Sequence, residues 1–172
     1  LDVEFEIAVQ RMEEPGADGA DDVEFLISTN PGESLKPLGR IASGGELSRV
    51  MLAIKTVLAD QDAIETVIFD EIDTGISGRT AQKVSEKLAL IGRSRQVICI
   101  THLAQLASMA DSHYCIEKRA VDGSTQTGIR LLDEQESVEE LARILGGAQI
   151  TDAVIDNARE MKKLAQKFKE RR

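Results

Sequence analysis

Thr66-Val67-Ile68-Phe69-Asp70-Glu71 is the stretch on which the fold turns. A short apolar run rich in β-branched residues predicts a strand buried on both faces, the kind found in parallel sheets. It ends at once in two carboxylates, and open α/β sheets place their ligands at the C-terminal ends of their strands. A second run, Gln96-Val97-Ile98-Cys99-Ile100, reads the same way and ends in Thr101-His102. Between the two, residues 79–91 carry Ala81, Val84, Leu88 and Ile91 at helical spacing, with Gly92 as the closing residue. Strand, helix, strand predicts an α/β fold.

Working upstream, Ser43-Gly44-Gly45-Glu46-Leu47-Ser48-Arg49 opens another helix. Ser43 followed three residues later by Glu46 is a capping-box pattern. Leu47, Val50, Met51, Ile54, Val57 and Leu58 then form one apolar face, to about Ala59, where Asp60-Gln61-Asp62 ends it. The two glycines therefore sit in the first turn. A helix start presents unpaired N–H groups and the positive end of the dipole, and glycine lets a phosphate come close. An ordinary capped helix would explain the tetrapeptide alone equally well. Three ligand-type features in order are more specific: a glycine-rich helix start, a strand ending in Asp-Glu, and a strand ending in Thr-His.

That order resembles the C-terminal half of an ABC-type ATPase head, from about Leu38 to Gly147. Ile41-Ala42-Ser43-Gly44-Gly45-Glu46 is similar to the signature motif, and Val67-Ile68-Phe69-Asp70-Glu71 to Walker B with its catalytic glutamate. His102 is similar to the switch histidine. Asp70-Glu71-Ile72-Asp73 is the variant of the SMC-like branch, where transporters usually have Asp-Glu-Pro-Thr. Thr74-Gly75-Ile76-Ser77-Gly78 and Ile100-Thr101-His102-Leu103-Ala104-Gln105-Leu106-Ala107 resemble the RecN family of bacterial DNA repair proteins. Ser77 stands where most relatives carry the D-loop aspartate, a departure that fits the RecN family.

The resemblance implies the C-terminal lobe of an ABC-type (P-loop NTPase) head. Such a lobe has a mostly parallel sheet core with flanking helices and an N-terminal antiparallel hairpin. It implies ATP and Mg2+ as cofactors. Asp70 would hold magnesium through water, as a hard oxygen ligand. Glu71 would orient and deprotonate the attacking water, and His102 would contact the γ-phosphate. Ser43, Gly44, Gly45 and Glu46 would bind the γ-phosphate of a second head in trans, with Ser77 at the same interface.

No Gly-x-x-x-x-Gly-Lys-[Ser/Thr] occurs, and none of the 13 glycines is followed by lysine. The resemblance implies as partners an N-terminal Walker A lobe of the same protein and a second head in an ATP-sandwiched homodimer. The chain alone is expected to be inactive. The function implied is ATP-driven head dimerisation in DNA double-strand break repair and recombination, with a coiled coil outside this stretch transmitting the change. Two alternatives remain open: the head lobe of another SMC-like or ABC ATPase, and a non-catalytic ABC-like interaction module.

At 172 residues, 42% hydrophobic and 30% charged, the chain reads as one soluble domain and a partial ATPase head. Its first residue is Leu1, so it is expected to be a piece of a longer protein. The net charge of −9 lacks the basic excess of a nucleic-acid-binding face. DNA would be met through the full-length protein. The tail basics Lys162, Lys163, Lys167, Lys169, Arg171 and Arg172 read as a solvated helix face. No apolar run approaches the ~20 residues that span a bilayer, and no signal peptide is visible; the resemblance implies a bacterial cytoplasmic, nucleoid-associated location without membrane. Cys99 and Cys115 fall in apolar strands and read as buried free thiols.

The remaining elements follow from periodicity. Residues 2–9 alternate, with Val3, Phe5, Ile7 and Val9 on one face of a half-buried strand. Residues 14–19 read as a loop, residues 23–29 as the second strand of a hairpin, and residues 33–42 as a connecting loop holding Lys36 and Arg40. A short helix over 103–109 precedes strands over 113–117 and 127–132, joined through Asp122-Gly123. Helices are expected over 137–145, closed by Gly146-Gly147, and from Thr151 onward. The last has Val154, Ile155, Ala158, Met161, Leu164, Ala165 and Phe168 on its apolar stripe. His113 reads as structural.

Overall fold

Alternation of strand and helix organises the chain, and a computed structural model describes residues 3–28, 32–40, 43–58, 64–121, 124–147 and 149–171. These fall into two units, Leu1–Leu47 and Ser48–Arg172. The expected helix ending at 59–62 and the Asp122-Gly123 turn lie outside the described residues, as do Ile41 and Ala42.

In the first unit, β1 (Glu4–Gly16) pairs antiparallel with β2 (Gly19–Ser28), in the register Phe5↔Ile27, Ile7↔Phe25 and Val9↔Val23. A third strand, β3 (Lys36–Pro37), joins the far edge of β2, and Leu38–Arg40 is a 3-10 turn. The connecting loop expected over 33–42 thus contains a short strand. The loop expected over 14–19 is also corrected: β1 continues through Glu14, Pro15 and Gly16, with a register shift after Arg11. Proline is tolerated there because β1 is an edge strand and Pro15 falls in the stretch after Arg11 where the pairing is irregular. The alternating face is present, and the Phe5 and Phe25 rings stack at 5.9 Å. Phe5, Ile7, Val9, Val23 and Phe25 are nevertheless exposed rather than half-buried.

The second unit contains most of helix α1 (Gly44–Val57) and a strand–helix–strand unit: β4 (Thr66–Phe69), α2 (Gly78–Ile91) and β5 (Gln96–Cys99). β4 and β5 pair parallel, Thr66 opposite Gln96 and Phe69 opposite Cys99. Side chains alternate along a strand. Val67, Phe69, Val97 and Cys99 accordingly pack on the core made by Leu52, Ile72, Ala81, Val84, Leu88, Ile91 and Leu106. The other face holds Ile68 and Ile98, directly opposite each other and 65% and 44% exposed. Burial on both faces, expected from the apolar run, is therefore corrected to burial on one.

Helix α3 (Ala104–Ala107) joins this core to a second one. Leu106 packs into the first, while Ala104 and Ala107 pack with Val138, Leu141, Ala142 and Ala158. The second core lies between α4 (Glu134–Gly146) and α5 (Asp152–Glu170). Full burial of a leucine such as Leu141 contributes roughly 1.5–3 kcal/mol. Between α3 and α4, β6 (Tyr114–Val121) and β7 (Ser124–Leu131) form an antiparallel hairpin, longer than the pattern predicts.

Helix α4 starts three residues before its expected Ser137. Asp133 accepts from the Glu136 N–H at 2.8 Å, and the Asp133 N–H donates to Glu136 Oε2 at 2.9 Å, a complete capping box. At the far end of α5, Arg93 donates to the carbonyls of Lys169 (3.2 Å) and Arg171 (2.6 Å), tying down unpaired helix-terminal carbonyls. Lys169 is paired with Asp111 at 2.7 Å. Leu164, expected on the apolar stripe of α5, is exposed.

Candidate functional site

Ser43 and the first turn of α1 are described within the first unit. Ser43 Oγ accepts from the Glu46 N–H at 3.2 Å, which satisfies one of the helix's four unpaired donors. Gly44 is exposed and Gly45 buried.

The other expected site residues belong to the second unit, at the C-terminal ends of β4 and β5. The parallel pairing makes them neighbours, and the Ile100 N–H donates to the Phe69 carbonyl at 3.1 Å where both strands end. Asp70 and Glu71 are exposed at the start of the β4–α2 loop. The Glu71 N–H donates to Asp70 Oδ1 at 2.9 Å. Glu71 has φ = 56°, the only positive φ of a non-glycine residue among those described. A left-handed backbone costs a residue with a Cβ about 1–2 kcal/mol, and such strain concentrates at functional sites. The turn closes through Thr74 N–H to Glu71 O at 3.0 Å, and Gly75, at φ = 74°, supplies the next left-handed position.

This loop is tied to α1. Ser48 Oγ donates to the Asp70 carbonyl at 2.9 Å. The Arg49 guanidinium donates to the carbonyls of Ile72 (3.2 Å) and Thr74 (2.8 Å). Ile72 is fully buried beneath the loop and anchors it in the core. Neither Ser48 nor Arg49 was singled out by sequence reasoning. Their position just after the glycines was the available signal, but their partners follow only from the packing of α1 beside β4.

Asp73 was likewise seen only as part of a motif. It is 3% exposed, the only buried charged residue among those described. Its Oδ2 accepts from Thr101 Oγ1 (2.6 Å) and the His102 N–H (2.9 Å), with His102 Nδ1 at 3.0 Å. The Leu103 N–H donates to Thr101 Oγ1 at 3.0 Å. The His102 side chain is 73% exposed. Ser77 is the N-cap residue of α2 in extended backbone, makes no side-chain capping bond, and is exposed.

Cys99 is half-buried beside this loop. Burial, then the nearby Asp73 and Asp70 carboxylates, pushes its thiol up to about 12, which keeps it a neutral thiol near neutral pH. His113 lies elsewhere, with Nδ1 2.8 Å from Ser137 Oγ, and burial lowers its pKa.

Among the described residues, no group of three or more His, Cys, Asp or Glu could hold a metal ion. A single exposed carboxylate at Asp70 fits magnesium only in its usual mode, shared with phosphates and waters. Among the described residues, no helix is long and apolar enough to cross a membrane.

No family model matches the chain. It is 50% identical over 151 residues to the DNA repair protein RecN of Halalkalibacterium halodurans, covering 88% of this chain and 27% of the relative. The RecN of Bacillus subtilis is also 50% identical over 151 residues, with 88% and 26% covered. The chain thus spans about a quarter of the length of the curated relatives it matches. Among solved structures, an Smc head domain with a coiled coil and joint from Pyrococcus yayanosii aligns with a TM-score of 0.57 at 21% identity, over 81% of this chain and 25% of that one. That likeness establishes the fold, an α/β lobe of the Smc head type. By its sequence, the chain belongs to the RecN family.

Proposed function

We propose that the chain supplies the signature, Walker B and switch-histidine half of an ATP-hydrolysing head that works in bacterial DNA repair. One observation carries this reading. Asp70, the strained Glu71 and the clamped His102 lie at the adjacent C-terminal ends of a parallel strand pair. That is the crevice where open α/β sheets bind ligands.

Phosphoryl transfer is mostly positioning and electrostatics. Asp70 would hold the outer waters of Mg2+, which neutralises phosphate charge when bound. Glu71 would orient the attacking water and accept its proton. The left-handed backbone at Glu71 breaks the course set by β4, which is compatible with two different jobs for Asp70 and Glu71. His102 would meet the γ-phosphate. The backbone N–H groups around Ser43, Gly44 and Gly45, with Glu46, would bind the γ-phosphate held by a second head, and Ser77 would lie at that interface.

The Walker A lobe, the second head and DNA are partners of the whole protein in this reading, and recombination in the bacterial cytoplasm is its setting. The net charge of −9 supports DNA binding mainly by other parts. The chain by itself would not turn over ATP. Retention of Asp70, Glu71 and His102 favours an ATPase over a purely structural lobe. In the intact protein, Glu71→Gln should cut turnover by roughly 10²–10⁴-fold, the usual worth of a general base, and leave ATP-bound head dimers long-lived. Turnover near the wild-type rate would remove Glu71 from this role.

A further inference from the structure

A buried carboxylate is costly unless it is fully hydrogen-bonded. Asp73 Oδ2 accepts hydrogen bonds from Thr101 Oγ1 and the His102 N–H, and the His102 ring Nδ1 lies 3.0 Å from the same oxygen. Thr101 and the His102 backbone fix where the chain passes, and both could be satisfied by a neutral acceptor. The third contact differs, because it reaches the ring of a side chain that is 73% exposed. A carboxylate only accepts, so a hydrogen bond across this 3.0 Å contact requires the proton on His102 Nδ1. The nitrogen left to meet a ligand is then Nε2, at the opposite edge of the ring.

We propose that Asp73 is a positioning residue for the reaction. It holds the His102 ring through Nδ1, so that Nε2 is presented to the terminal phosphate of a nucleotide. The inference rests on the reading of His102 given under the proposed function. An anchored histidine ring keeps both tautomer and aim, as it does where a carboxylate orients a catalytic or metal-binding imidazole. Thr101 acts in the same clamp: it donates to Asp73 and accepts from the Leu103 N–H.

The test compares ATP turnover by the intact protein as wild type, Asp73→Asn, His102→Ala and the double variant. Asparagine keeps the shape and an acceptor oxygen but removes the charge. Asp73→Asn should lower kcat by ~10–100-fold, the typical loss when an orienting partner is removed. KM for ATP should stay within about 3-fold, the pattern of an interaction that matters in the transition state. The double variant should be no slower than His102→Ala. Additive losses would overturn the inference, as would an Asp73→Asn variant as fast as wild type while His102→Ala is slow. Absence of turnover in the wild type would remove the ATPase reading and this inference together, which separates the two failures. If Asp73→Asn does not fold, the imidazole 15N spectrum of the wild-type protein decides. A protonated, hydrogen-bonded Nδ1, with Nε2 shifting on addition of a non-hydrolysable ATP analogue, supports the clamp. An Nε2-protonated tautomer, or no shift at Nε2, refutes it.

Discussion

Replacing Arg49 with methionine keeps the aliphatic stem and removes the guanidinium that holds the Asp70–Gly78 loop against α1. Two bonds are lost, to the carbonyls of Ile72 at 3.2 Å and Thr74 at 2.8 Å. A hydrogen bond from a charged donor is worth about 1.5–3 kcal/mol when buried. The Thr74 contact is exposed and the Ile72 contact part-buried, so water recovers much of that value, and a combined loss of about 1–2 kcal/mol is expected. For a domain of this size the melting temperature should fall by about 2–8 °C. Tyr114 is the only tyrosine and there is no tryptophan, so intrinsic fluorescence during urea unfolding reports the second unit alone. Turnover should suffer more than stability. The two carbonyls flank Asp73 and follow Glu71, and a displacement of about 1 Å at a reacting group costs up to ~10²-fold. Arg49→Lys, with a point charge in place of a fork, should fall between methionine and wild type. Unchanged unfolding and unchanged turnover in Arg49→Met would show that the tether is idle.

Two other outcomes follow from the same geometry. Gly44→Trp places a bulky side chain at the exposed first residue of α1. It should leave the second unit's urea midpoint unchanged while abolishing ATP-dependent dimers in size-exclusion chromatography; dimers that persist would exclude the signature turn from the interface. The lowered pKa of His113 means that the unfolded chain binds its proton first as pH falls. The stability that goes with its neutral form is therefore fully present above the unfolded value of about 6.5 and is lost as pH falls through the lower folded value. Glu140, lowered mainly by its bond to Arg143, acts with the same sign at more acidic pH. His113→Asn should flatten the stability profile as pH falls below about 6.5, and an unchanged slope in urea titrations would contradict the assignment.

The strand–helix–strand unit was legible because it depends on local pattern, continuous apolar runs in β4 and β5 and helical spacing in α2, and so was the cap at Ser43. Other features depend on which elements become neighbours. A run such as Val67-Ile68-Phe69 is apolar at every position, so its sequence cannot say that Phe69 meets the core while Ile68 stays exposed. Asp73 acquires its chemistry only because β5 pairs beside β4 and delivers Thr101 and His102 to it. Arg49 is the same case, a helix residue whose acceptors lie 23 and 25 positions away. Pro15 misled for a different reason. Proline usually ends a strand, and its tolerance at an edge depends on strand order, a property of the sheet. The start of α4 could have been read, since Asp133 and Glu136 form the capping pattern.

The central claim is that this chain is half of a split ATPase site, and reconstitution tests it most directly. The chain is mixed with the Walker A-bearing N-terminal lobe, and phosphate release is measured for the mixture, for each part alone, and for the mixture carrying Glu71→Gln. The account predicts turnover only in the wild-type mixture. Two lobes that co-elute yet release no phosphate, or a Glu71→Gln mixture as active as wild type, would contradict it.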